Sequence, residues 1–143
     1  MAMNDGELIT KVNSSMYNQC RKNGFAAPVD VLMDIGVLAK QKYEDWRFGR
    51  VPYLEAVCGI NLRKLSLIMK TIRGYASRNG LKPSYTCYKQ WGLKTNGKRA
   101  VVKLQFSKSG NPDIEKAYST HYIDEARIAE LKQADQEKII TPP

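Results

Sequence analysis

The sequence predicts an α+β fold, mainly α, in which a helical domain carries one β-hairpin. Three observations lead there. Apolar residues recur at three- and four-residue spacing over 5–23 and 62–79, the period of a helix that buries one face. Residues 84–106 are richer in strand-forming types and flank Asn96-Gly97, a strong signal for a two-residue hairpin turn. Glycine or proline stands at most junctions between these stretches.

The first helix is expected over 5–23, with Leu8, Ile9, Val12, Met16 and Cys20 as its apolar stripe and Gly24 as its stop. Pro28 suits the first turn of a second, short helix that carries Val29, Val31, Leu32 and Ile35 and ends at Gly36. Residues 39–48 read as a third helix with Tyr43 and Trp46 on one side, broken by Gly49-Arg50-Val51. Pro52 then opens a short helix to Cys58, ended by Gly59. Asn61 is a good N-cap for the longest helix, 62–79, which Gly80 closes.

After Pro83 the pattern changes. Ser84–Trp91 is the expected first strand and Ala100–Phe106 the second, with Val102, Leu104 and Phe106 on one face. Asn111-Pro112-Asp113 opens a final helical region with a capping residue, a first-turn proline and early acids, and Ile114, Ala117, Tyr118 and His121 share one face of it. Residues 124–138 are charged and weakly periodic, the pattern of an exposed helix, and 139–143 read as a frayed tail.

A chain of 143 residues is long enough for one domain with a real core, and its 43% hydrophobic content excludes a disordered basic tail. The net charge of +9 is segregated. Residues 1–35 carry −1, residues 36–110 carry +13 and residues 111–143 carry −3. The chain divides accordingly into an N-terminal helix (1–24), a basic module (25–110) and a C-terminal helical segment with a tail (111–143). Between Glu55 and Asp113 lie 57 residues with twelve Lys or Arg and no acid. An ordinary soluble surface mixes both signs. A folded segment that is purely cationic is built to meet an anionic partner, and nucleic acid has the highest charge density of the candidates.

Other classes are less well supplied. Cys20, Cys58 and Cys87 are isolated, so neither a zinc site nor another metal or cofactor is expected. Their odd number and the lack of a signal peptide point to a reducing cytoplasm. No apolar run reaches membrane-spanning length. There is one histidine, His121, and no Walker loop, G-x-S-x-G, H-E-x-x-H or G-x-G-x-x-G motif, so a non-enzymatic protein is expected. Asp113, Glu115 and Lys116 stand at a helix N-terminus, where acids favour the dipole without any catalytic role.

Placed on a helix, residues 62–79 separate into two faces. Leu65, Ile68, Met69, Ile72, Tyr75 and Ala76 form the apolar one. Arg63, Ser66, Lys70, Arg73, Ser77 and Arg78 form the other, with Lys64 at the border. Such a face offers Arg for guanine edges and Lys and Ser for phosphates. The hairpin adds Lys94, Lys98, Arg99 and Lys103 at or near its tip. Arg47 and Arg50 bracket a glycine beside Trp46 and Tyr53, an arrangement suited to phosphate contact with aromatic stacking.

Short helix, glycine turn, long basic helix and two-stranded hairpin, in that order over residues 28–107, resemble a winged helix-turn-helix domain. The resemblance implies that the long helix enters a major groove and the hairpin touches the adjacent backbone. The turn departs from the usual pattern, because Gly59 is matched but Glu55 stands where a small residue is expected. Separately, Tyr43-Glu-Asp-Trp46-Arg47-Phe-Gly49-Arg50-Val-Pro52-Tyr53-Leu-Glu55 resembles a stretch of small bacterial and phage proteins of unassigned function. That resemblance implies a bacterial or phage origin and no particular activity.

The expected function is therefore double-stranded DNA binding, as in a transcriptional or mobile-element regulator. The first alternative is an interaction or inhibitor protein that docks its basic surface on an acidic protein or nucleoprotein. The second is an RNA or single-strand binder that stacks bases on Tyr85, Tyr88 and Trp91. The N-terminal helix and the acid-rich terminal helix are the candidate elements of a homodimer. A membrane partner is disfavoured, since the basic helix has no Trp or Phe.

Overall fold

In a computed structural model the backbone is described for residues 3–92, 94–95, 98–99 and 102–140, and the side chains for 3–92 and 102–137. The architecture is α+β and mainly helical, with one small antiparallel sheet and a separate hairpin.

The first helix, α1, is Asp5–Asn23, and both its ends are chemically set. The Asn4 side chain accepts the Glu7 N–H, and Gly24 takes a left-handed conformation while its own N–H closes on the Cys20 carbonyl. Leu8, Val12, Met16 and Cys20 are all buried. They pack on α4, Leu62–Arg78, whose buried stripe is Leu65, Ile68, Met69, Ile72 and Ala76. The N-cap of α4 is Asn61, whose side chain accepts the Lys64 N–H. Between them run α2, Pro28–Asp34, and α3, Lys40–Arg47. One buried cluster extends from Leu8 in α1 to Tyr122 near the C-terminal helix.

Five local expectations need correction. The short helix over 52–58 is only a 3-10 turn, Leu54–Val57. The N–H groups of Leu54 and Glu55 are donated to the carbonyls of Gln105 and Phe106, so long-range pairing takes up donors at the start of this segment.

Ser84–Trp91 is not one strand. Its beginning belongs to β2, Lys82–Tyr85, which pairs with a strand far along the chain. The hairpin starts only at Tyr88, whose carbonyl accepts the Leu104 N–H, and continues through a Lys89–Lys103 bridge to β3 (Lys94–Thr95) and β4 (Lys98–Arg99). The turn at Asn96-Gly97 lies outside the described residues.

Ala100–Phe106 is likewise no regular strand: Leu104 and Phe106 are buried, whereas Val102, expected on their face, is 44% exposed. Residues 100 and 101 also lie outside the described residues.

Finally, α5 (Pro112–Ser119) stops before His121. Residues Thr120–Ile123 form β5, the centre of a sheet ordered β1-β5-β2, where β1 is Phe25–Ala26. Thr120 and Tyr122 turn inward and are buried, while His121 and Ile123 are half-buried. Pro83 is accommodated because β2 is an edge strand. The last helix, α6, is Glu125–Ile140, so residues 139–140 continue it instead of fraying. Its first turns are anchored: the Arg127 Nε donates to the Arg21 carbonyl at 2.9 Å, and Gly24 leaves no room for a Cβ against Ile128.

Candidate nucleic-acid interface

The apolar stripe of α4 faces the core, so Arg63, Ser66, Lys70, Arg73 and Ser77 share the outward side, and all five are exposed. Arg78 is exposed next to this row, and Lys64 is half-buried. Arg63 and Lys64 are engaged within the chain. Arg63 holds the Asp5 carboxylate, and the Lys64 ammonium donates to the Met3 carbonyl. Among the described residues, no carboxylate lies within ion-pair distance of Lys70, Arg73 or Arg78.

The other expected site residues fall elsewhere. The Arg47 guanidinium lies 4.5 Å from the Trp91 ring centre and 5.2 Å from that of Tyr88, so it is a stacking partner of two aromatics. The Trp91 N–H also donates to the Arg47 carbonyl, which ties the root of the hairpin to the end of α3. Arg50 is exposed, pairs with Asp45 at 3.1 Å and lies over Phe48. Trp46 is fully buried and donates from its indole to the Gln105 carbonyl at 2.7 Å. The side chains of Lys94, Lys98 and Arg99 lie outside the described residues. Lys103 is exposed at the hairpin root.

The two cationic elements are thus seated on different neighbours. α4 packs on α1, and the hairpin root is held by α3.

A row of hollows flanks α4 on the side of α5. The largest, about 770 Å³, lies between Leu62, Ser66, Met69 and Arg73 of α4 and Ile114 and Ala117 of α5. A second, about 410 Å³, joins Arg73 and Ser77 to Tyr85 and Lys116. A third, about 590 Å³, runs from Tyr85 and Lys116 to Lys103 and Gln105. Arg73 borders the first two, and Tyr85 and Lys116 the last two, so neighbouring hollows of this trough share lining residues.

Two acids beside this trough are turned into the protein. Glu55 accepts the Lys108 N–H at 2.9 Å and the Tyr118 hydroxyl at 2.8 Å. Glu115 accepts the N–H groups of Phe106 and Ser107 and the Ser107 hydroxyl, all within 2.8 Å. Both carboxylates therefore clamp the 106–108 loop. Asp113 also lines the trough, beside Arg73.

The sequence marks Tyr85 only as a stacking candidate beside Tyr88 and Trp91, and does not join Lys116 to it. The Lys116 ammonium stands 4.1 Å from the centre of the Tyr85 ring. They meet because β2 pairs with β5, the strand that follows α5, with Tyr85 opposite Thr120. No local pattern announces that pairing.

The remaining reactive side chains are packed away or apart. The Tyr88 hydroxyl and His121 Nε2 are 3.0 Å apart. Burial raises the Tyr88 phenol, helped by the nearby Asp30 charge, and burial depresses His121 against the opposing pull of Asp30. Burial pushes the Cys20 thiol up to about 11 and that of Cys58 up to about 12. Glu115 and Lys116, adjacent in sequence, point to the 106–107 loop and to the Tyr85 ring respectively. Among the described residues, no group of three His, Cys, Asp or Glu could hold a metal ion. Among the same residues, no helix is long and apolar enough to cross a membrane.

No family model, curated protein or solved structure matches the chain.

Proposed function

We propose that the protein is a non-enzymatic nucleic-acid-binding protein that docks duplex DNA on the outward face of α4. One observation carries this reading: Ser66, Lys70, Arg73 and Ser77 line one exposed side of a helix, and its Lys70 and Arg73 have no carboxylate partner among the described residues. Free cations and hydroxyls in register along about 16 Å of helix suit the phosphates and base edges of a groove. In the finer form of the proposal, α4 is the recognition helix of a winged-helix-like domain and the hairpin its wing. The long helix followed later by a hairpin supports that form, although the segment before the helix is a 3-10 turn and not a helix. The seating of the hairpin on α3, and the pairing of β2 with β5, leave the wing to act as a separate contact. A cytoplasmic regulator of bacterial or phage origin is the setting this reading implies.

The test is fluorescence anisotropy of labelled duplex DNA, single-stranded DNA and RNA across a salt series. Duplex binding is expected to weaken steeply as salt rises, and Lys70→Ala is expected to reduce the log–log slope by about one. Absence of binding to all three nucleic acids near physiological salt overturns the proposal and leaves an acidic protein as the partner for this face.

A further inference from the structure

We infer that Tyr85 is a stacking platform for an unpaired base, so that the preferred partner is nucleic acid with a single-stranded segment beside the duplex. The inference rests on the nucleic-acid reading of α4 and names a feature of the ligand which that reading leaves open.

Three aromatic residues of the 85–91 segment are candidates for stacking, and their surroundings separate them. Tyr88 is 9% exposed, packs edge-on against Phe106 and is bonded to His121. Trp91 is covered by the Arg47 guanidinium and meets Tyr43 and Phe48 edge to face. Tyr85 is 61% exposed. Lys116 lies over one face of its ring, as Arg47 does at Trp91, but no other aromatic ring packs on Tyr85 among the described residues, and the side chain stays open beside a cation.

Each of the two hollows that Tyr85 lines also holds Lys116 and one further cation. One leads to Arg73 and Ser77 of α4 and the other to Lys103 at the hairpin root. Of the two acids that line these hollows, Glu115 is bound by three donors of the 106–107 loop, and Asp113 lines the hollow that Arg73 also lines, without an ion pair to it. Aromatic rings interleaved with Lys and Arg are how proteins hold unpaired strands, because every base has a stacking face and every linkage a phosphate. Arg73 and Ser77 of α4 line the same hollow as Tyr85, which places the ring within reach of a strand leaving a duplex on that helix.

The probes are a blunt DNA duplex and the same duplex carrying a short unpaired thymidine tail at either end, measured by anisotropy against the intact protein. The tailed duplex of one polarity is expected to bind about tenfold more tightly than the blunt one. Tyr85→Ala is expected to abolish that preference while leaving blunt-duplex affinity within about twofold, and Tyr85→Trp to keep it. Circular dichroism on both variants verifies folding, which an exposed edge-strand position should preserve. Equal binding of tailed and blunt duplexes by the wild-type protein, or a tail preference that survives Tyr85→Ala, overturns the stacking role while the duplex reading stands. Failure of both probes to bind overturns both.

Discussion

Arg63, in the first turn of α4, grips Asp5, in the first turn of α1, through two N–H···O bonds of 3.1 Å each. The two residues are 58 positions apart, so the acid-free stretch that contains Arg63 does borrow a carboxylate, from the acidic N-terminal flank. The pair marks the end of the row formed by Ser66, Lys70, Arg73 and Ser77, and it reduces the charge that α4 presents there.

Asp5→Asn frees Arg63. Duplex affinity at low salt is expected to rise roughly two- to tenfold, and the log–log salt slope to steepen by up to about one. Stability should barely change, because both side chains are exposed and screened. The Arg63 hydrogen bond holds the Asp5 carboxyl below the usual aspartate range. A depressed folded value means that the pair's contribution is present above the unfolded value and lost as pH falls through the folded one. An NMR titration of Asp5 checks this: its midpoint should return to the ordinary range in Arg63→Ala.

Glu115→Ala leaves two backbone N–H groups and the Ser107 hydroxyl without their acceptor, and Ser107 is only 1% exposed. A loss of about 2–3 kcal/mol is expected from urea unfolding. Hydrogen exchange at Phe106 and Ser107 should accelerate more than exchange within α1. An unchanged midpoint together with unchanged exchange would remove the clamp from the account of this loop.

The three thiols should react at very different rates. Cys20 is buried and Cys58 half-buried, and burial raises both, to about 11 and about 12. Cys87 is exposed. One fast equivalent is expected with a thiol-disulfide reagent at neutral pH, located at Cys87 by mass spectrometry, with the other two released only in denaturant. Rapid labelling of Cys58 in the native protein would show that the face around the Leu54–Val57 turn opens.

The helices were largely legible in the sequence. The bounds of α1 and α4 follow from an apolar repeat stopped by Gly24 in one case and opened by Asn61 in the other, both signals within a turn of the helix end, while the Asn4 cap of α1 emerges only in the structure. The sequence predicts a helix over 52–58, whereas the structure has only a 3-10 turn at Leu54–Val57, whose first N–H groups pair with Gln105 and Phe106, about fifty residues away in the chain. The sequence offers Arg47 and Arg50 for phosphate contact, and no local pattern names their neighbours. The structure engages them with Trp91 and Tyr88, and with Asp45 and Phe48.

The strands show the same division more sharply. Composition marked residues near 84–91 as extended, yet β-propensity carries no information about the partner. The segment splits between β2, paired with β5, and a hairpin root that begins at Tyr88. Ile114, Ala117 and Tyr118 set a helical repeat that predicts His121 on the same helix face. The central position between β1 and β2 instead draws Thr120–Ile123 into a sheet.

By itself the sequence determined the charge segregation, the helical faces and the cationic row on α4, because these depend on residue type and on a period of a few positions. Only the tertiary structure decided that Asp5 would neutralise Arg63, that Glu55 and Glu115 would turn away from the trough, and that Lys116 would stand over Tyr85. Those relationships arise from strand pairing and helix packing between distant segments. Their register is chosen by the whole buried core, from Leu8 to Tyr122, and by no local run of residues.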